Sequence, residues 1–228
     1  MTSNTKGPLT STSTVLKNFD WVDIETGTGI VEYNGFGITA SGATLSALDK
    51  RDTVFSYPNM SRAVTTTSYV KIFDLDFDGG ELTNTQILKG TMMAEIPFTW
   101  SFENGGVRIY GYVKITLKKL LADGTTEVDI ATESSAVISR TNSTLPIQYY
   151  SVTTLEVPRT AVKVGEKIRV NLECYTKHTG DGAGFGVCYE PANTAISATD
   201  AGGTHAEKLV GVAGFTQMRI AIPYEIPE

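Results

Sequence analysis

From about residue 62 onward, apolar and polar positions alternate along most of the chain. The segment 107–117 shows this best: Val107, Ile109, Val113, Ile115 and Leu117 hold odd positions, while Arg108, Tyr110, Tyr112, Lys114 and Thr116 hold even ones. A period of two puts successive side chains on opposite faces, which suits a half-buried strand and no helix. Strands are predicted over 65–77, 86–102, 107–121, 127–138, 147–157, 167–176, 185–190, 208–212 and 215–224. Turns fall at Asp78-Gly79-Gly80, at Glu103 to Gly106, at Asp123-Gly124 and at Gly165-Glu166, where Gly, Asn and Asp supply the backbone freedom. Pro97 lies inside a long strand pattern and marks an edge or a bulge, because proline donates no ladder hydrogen bond. The polar stretch Ala192 to Gly203 reads as a surface loop. Eight or more strands of this size predict an all-β fold, a two-sheet antiparallel jelly-roll sandwich.

The pattern also divides the chain. Residues 1–14 are rich in Ser and Thr and read as an extended N-terminal arm. Residues 15–60 hold short strand patterns, Val15 to Ile24 and Ile30 to Ile38, and are expected to pack on the main body. Within them, Thr44 to Lys50 is the segment with helical character. Residues 61–228 form the predicted jelly-roll domain. Trp21, Trp100 and most other aromatic residues fall within strand patterns, where core packing accounts for them.

Composition narrows the classes. Only 19% of residues are charged and 22 are glycine, as in many all-β domains. No apolar run is long enough for a membrane-spanning helix, so no membrane partner is expected. The first residues lack the apolar core of a secretory signal, so folding in a cytoplasm is expected. A net charge of −6 argues against nucleic acid, whose phosphates require a basic footprint. Lys114, Lys118 and Lys119 form the one basic cluster, and Lys118 and Lys119 point to opposite faces of their strand. Cys174 and Cys188 are equidistant from Asp181, so a hairpin centred there would set the thiols opposite each other. In a reducing compartment, two buried free thiols are expected instead.

Three places have the residue types for chemistry. Asp74, Asp76 and Asp78 precede Gly79 with the spacing that opens a calcium loop. The twelfth position is Thr85 where a bidentate Glu belongs, and an ordinary strand entering a turn has the same pattern. The glycine-rich run Gly180 to Gly186 lacks the following helix of a phosphate loop and reads as a hairpin tip. Cys174, His178, Cys188 and His205 do not have the paired spacing of structural zinc, and no motif supports a cysteine nucleophile. No Gly-x-Ser-x-Gly, His-Glu-x-x-His or P-loop occurs. The expectation is a chain without enzymatic activity, cofactor or catalytic residue.

The run Leu155-Glu156-Val157-Pro158-Arg159-Thr160, followed by Gly165-Glu166-Lys167-Ile168-Arg169-Val170, resembles the late-strand region of jelly-roll virion structural proteins. The rhythm of Ile96 to Phe102 and Val107 to Leu120 is similar to their central strands, and the likeness covers roughly residues 85–191. It implies a bacteriophage head decoration, cement or minor capsid component, assembled in a host cytoplasm and located in the virion. Such a protein would stabilise the shell through contacts with other capsid proteins and with itself, as a homo-oligomer such as a trimer. The alternative is a carbohydrate- or receptor-binding jelly-roll module, with Tyr149, Tyr150, Tyr175 and Tyr189 as the interaction surface for a glycan. Inter-sheet packing is the plain reading of those four tyrosines.

Overall fold

The computed structural model describes residues 17–18, 28–38, 42–46, 61–62, 68–102, 108–141, 147–178, 183–187, 196–199, 208–211 and 217–226. Among them every regular element is a strand: β1 Lys17–Asn18, β2 Thr28–Ile38, β3 Gly42–Ser46, β4 Ser61–Arg62, β5 Val70–Asp78, β6 Gln86–Phe102, β7 Arg108–Leu120, β8 Glu127–Ser134, β9 Ile138–Thr141, β10 Ile147–Val162, β11 Lys167–His178, β12 Ala183–Val187, β13 Ile196–Thr199, β14 Lys208–Gly211 and β15 Arg219–Glu225. The fold is an antiparallel β-sandwich. One layer is β10-β6-β15-β2, with β12 and β4 continuing along the far end of β6. The other is β5-β11-β7, edged by β8 and β9. β13 and β14 form a separate ribbon.

The two layers share one core. Leu88, Met92 and Ile96 of β6, Leu155 of β10 and Ile220 and Ile222 of β15 meet Phe77 of β5, Ile115 and Leu117 of β7 and Val170 and Leu172 of β11. Burying each such side chain stabilises the fold by about 1.5–3 kcal/mol. Inside the core, the Tyr33 and Tyr224 hydroxyls satisfy each other at 2.5 Å, and burial pushes both above their ordinary range.

β3 bridges the layers. It pairs antiparallel with β2 and parallel with β5. The segment Thr44 to Lys50 was expected to be helical; its first three residues lie in β3, and 47–50 lie outside the described residues. Seven residues are too few to sustain a helix alone, whereas both edges of β3 find hydrogen-bond partners in the sheet. The parallel β3–β5 pair also departs from the all-antiparallel jelly roll expected, and the supported statement is an all-β sandwich.

Other boundaries moved for local reasons. The predicted strand 127–138 is two strands, because Ser135 takes over the pairing between them. Val113 N–H donates to Ser135 Oγ at 3.0 Å, and Ser135 N–H donates to the Val113 carbonyl at 2.8 Å. The loop expected over Ala192 to Gly203 contains β13. β10 runs through Pro158 to Val162, and its register with β6 shifts between Val157 and Thr160. Gly90 lies opposite Val157 with φ of 116°, a conformation that fits glycine at such a bulge. β11 and β12 do not form the expected hairpin: β11 pairs with β5 and β7, and β12 with β6 and β4.

The turn from β10 to β11 shows why Gly165-Glu166 stands where it does. Gly165 has φ of 80°, and its N–H donates to the Leu82 carbonyl at 3.0 Å. The buried Glu166 carboxylate accepts from Lys163 N–H at 2.7 Å, which closes the turn. Leu82 N–H donates to the Glu166 carbonyl and Gly79 N–H to the Ile168 carbonyl, tying the end of β5 to the start of β11.

Candidate functional site

Alternation along β11 sends Ile168, Val170, Leu172, Cys174 and Thr176 into the core and leaves Arg169, Asn171, Glu173, Tyr175 and Lys177 on the outer face. Register then gives Arg169, Asn171, Glu173 and Tyr175 a partner on either side and Lys177 one on β7. Arg169 lies opposite Lys118 and Asp78, Asn171 opposite Thr116 and Asp76, and Glu173 opposite Lys114 and Asp74. Tyr175 lies opposite Tyr112 and Lys71, and Lys177 opposite Tyr110. Directly opposed side chains are the pairs that interact across a sheet. The outer face of β5-β11-β7 is therefore a ladder of rows, charged at one end and aromatic at the other.

The charged rows compensate one another. Arg169 forms a fork on Asp78, with Nε at 2.5 Å and Nη2 at 2.7 Å, and its Nη1 donates to Asp76 at 3.2 Å and also to Glu127. Asn171 Nδ2 donates to both Asp74 and Asp76 at 2.8 Å. Lys118 donates to Glu127 at 2.7 Å. Glu173 accepts from Lys114 at 2.7 Å and Lys71 at 2.8 Å, and these hydrogen bonds lower its carboxyl to about 2. Burial raises the Asp74 carboxyl, but hydrogen bonds from Lys71 and Asn171 outweigh it, so the group stays below its ordinary range.

A bulge makes one of these contacts possible. Cys174 pairs with Phe73, yet Tyr175 pairs with Lys71, so Ile72 is an extra residue in β5. In a regular strand Lys71 and Asp74 would face opposite ways. The bulge puts both on the outer face, where Lys71 Nζ donates to Asp74 at 2.5 Å.

The aromatic rows form a cluster. Tyr175 stacks on Tyr112 with centroids 5.0 Å apart and planes within 7°. Tyr69 meets Tyr112 edge-on at 5.1 Å. Lys177 Nζ lies 4.6 Å from the Tyr69 centroid and 5.0 Å from that of Tyr110. All five side chains are half-buried. Burial, then the phenols of Tyr112 and Tyr110, push the Tyr69 hydroxyl above its ordinary value, and burial and then Glu173 do the same for Tyr175.

Of the four tyrosines singled out in the sequence, Tyr175 belongs to this cluster. Tyr150 lies on the other layer, where its hydroxyl donates to the Gln217 carbonyl at 3.0 Å. Tyr149 lies in β10 with its side chain outside the described residues, as is the whole of Tyr189. Tyr69, Tyr110 and Tyr112 were missed. Tyr110-x-Tyr112 does mark two rings on one strand face, but nothing local says that Tyr175 lies beside them.

Asp74, Asp76 and Asp78 stand in line along β5, separated by two residues or about 6.6 Å each, rather than converging on a point. Their partners are Lys71, Asn171 and Arg169, and among the described residues no group of three or more His, Cys, Asp or Glu could hold a metal ion. Cys174 is fully buried, and burial pushes its thiol far above the ordinary range, the opposite of a reactive thiolate. Cys188, His205 and Gly180 to Gly182 lie outside the described residues, as does the His178 side chain. Ala183 to Gly186 belong to β12. No helix among the described residues is long and apolar enough to cross a membrane.

No protein-family model matches the chain, and no curated protein does. Several solved structures are similar. An α-amino acid ester hydrolase is 12% identical at a TM-score of 0.38, over 66% of this chain and 25% of its own. A CocE/NonD family hydrolase from Staphylococcus aureus is 13% identical at 0.39, over 85% of this chain and 36% of its own. A structure of infectious bursal disease virus is 10% identical at 0.27, over 87% of this chain and 57% of that one. The chain thus spans a minor part of the hydrolases it is similar to. Their presence corrects one expectation: hydrolases stand among its structural neighbours, so the exclusion of enzymatic activity drawn from missing motifs is withdrawn. No residue role is carried over from any of them.

Proposed function

We propose that the chain is a β-sandwich recognition module that binds carbohydrate on the outer face of β5-β11-β7. The observation that carries this reading is the cluster of Tyr69, Tyr110, Tyr112 and Tyr175 on a face whose other rows are ion-paired. The core gains nothing from these rings, which lie on the far side of the sheet. Tyrosine offers a large, rigid, amphipathic surface with little rotamer entropy to lose on binding. Stacking already fixes the orientation of Tyr112 and Tyr175, so a pyranose laid against the cluster meets a formed apolar surface with hydroxyls at its rim.

Glycan-array binding by the full chain tests the reading. Binding should fall at least tenfold in Tyr112→Ala and Tyr175→Ala while Tyr150→Phe binds as wild type. A wild-type chain that binds no glycan, or platform variants that bind undiminished, would sink it.

A second reading, as a virion structural component such as a decoration, cement or minor capsid protein, draws on the other layer. There Ile30, Met93 and Val152 are 41%, 38% and 58% exposed on one outer face. Apolar side chains in such an arrangement suit burial against a neighbouring subunit. Light scattering over a range of concentrations tests it: a discrete oligomer supports the reading, and a monomer at every concentration counts against self-assembly through this face.

A further inference from the structure

The cations of the ladder differ in what they hold. Lys71 is paired with Asp74 and Glu173, Lys114 with Glu173, Lys118 with Glu127 and Asp129, and Arg169 with Asp76, Asp78 and Glu127. Lys177 has no carboxylate partner among the described residues. Its ammonium lies over the Tyr69 and Tyr110 rings instead, in the middle of the aromatic rows. Glu173, the nearest acid on the same face of β11, is four residues away, or about 13 Å along the strand, and already accepts from two lysines.

We infer that the glycan is anionic, with a carboxylate-bearing sugar such as a uronic or sialic acid whose acid group meets Lys177. This inference rests on the carbohydrate reading of the tyrosine cluster and adds the charge class of the ligand. Two rings hold the ammonium by cation–π attraction and remove part of its water, yet they satisfy none of its N–H donors with an oxygen. A carboxylate gives the ammonium both a charge-assisted hydrogen bond and the attraction of an opposite charge, which a neutral hydroxyl lacks, so an acid group is the ligand chemistry this position rewards most. The chain's net charge of −6 opposes this only weakly at physiological salt, where charges beyond about 8 Å are largely screened. Single-stranded nucleic acid also combines stacking with anionic groups, but it binds along a continuous basic groove. Here Lys71 and Lys114 on the same face are held by their own acids, Asp74 and Glu173.

The test is calorimetric titration of the full chain with uronate-bearing and sialylated oligosaccharides, each matched to its carboxyl-reduced or desialylated form. Wild type should bind at least one acidic member tenfold more tightly than its neutral match. Lys177→Met should bind both forms alike, Lys177→Arg should keep the preference, and melting temperatures should be unchanged. Equal binding of acidic and neutral forms, abolished in Tyr175→Ala, would overturn the charge assignment and leave the platform standing. Binding of no sugar would overturn both. Lys177-dependent binding of a single-stranded oligonucleotide, with none of acidic glycan, would overturn the assignment in favour of nucleic acid.

Discussion

The outer faces of the two layers are built from the same alternation and finish differently. On β5-β11-β7 the charged side chains stand opposite partners, and Arg169 alone engages three carboxylates, two on the adjacent β5 and one on β8 beyond β7. On β10-β6-β15-β2 the apolar Val152 and Met93 stand diagonally adjacent with Ile30 further along, beside isolated pairs such as Arg159 with Glu225 at 2.8 Å. The first face is preorganised by its own cross-links, and the second leaves apolar surface to water. The difference begins in composition, since β5, β7 and β11 are richer in charged residues than β2, β6, β10 and β15, and register then sets those charges beside partners.

The comparison can be broken first from beneath. Leu172 lies under the ladder with no exposure, so Leu172→Ala should cost about 2–5 kcal/mol. A chemical-denaturation series that gave Arg169→Met an equal loss would show that the ladder, and not the core, holds this layer. The expected cost of Arg169→Met is about 1–2 kcal/mol, because Asp76, Asp78 and Glu127 would be left facing one another. Arg159→Met on the other layer removes an exposed pair and should shift stability by less than about 0.5 kcal/mol.

Acid should weaken the ladder. Glu173 has its carboxyl lowered to about 2 in the folded chain, below the ordinary value of 4.5. A depressed carboxyl contributes stability above its unfolded value and loses it as pH falls toward the folded value. Melting temperature should therefore drop between about pH 4.5 and pH 2. Glu173→Gln should be less stable at pH 7 and show a shallower drop, with about 1 kcal/mol involved after solvent screening. A variant with the wild-type slope would remove Glu173 from the account.

The smallest effect on stability belongs to the apolar face. Val152→Glu and Met93→Lys should each change folding stability by less than about 0.5 kcal/mol. If this face meets a second copy, both should lower the apparent mass in concentration-dependent light scattering.

Much of the strand layout was legible in the sequence. β6 spans the residues its alternation and flanking turns predicted, and β7 and β11 agree to within two residues. The turn at Asp123-Gly124 was legible too: Asp123 accepts from the Thr125 and Thr126 N–H groups at 2.8 Å, and Gly124 takes φ of 72°. The candidate site was legible only in part. Tyr175, named among the tyrosines of the alternative interaction surface, lies in the cluster. The carboxylates of β5 were noticed as a strand entering a turn, with calcium as the candidate ligand, but not with the guanidinium and amide that hold them. Regular alternation would have turned Lys71 away from the ladder, and only the Ile72 bulge brings it there.

What this chain determines by itself is which residues share a strand face, because the two-residue period follows from backbone geometry at each position. Arg169, Asn171, Glu173, Tyr175 and Lys177 had to lie together on one side of β11. Which strand lies beside them is a long-range choice. It decided that β11 pairs with β5 and β7 rather than β12, that Tyr175 meets Tyr112, and that Lys177 rests on Tyr69 and Tyr110. Only the packed sandwich decides that, because pairing partners and register are chosen by burying both layers' apolar faces in one core.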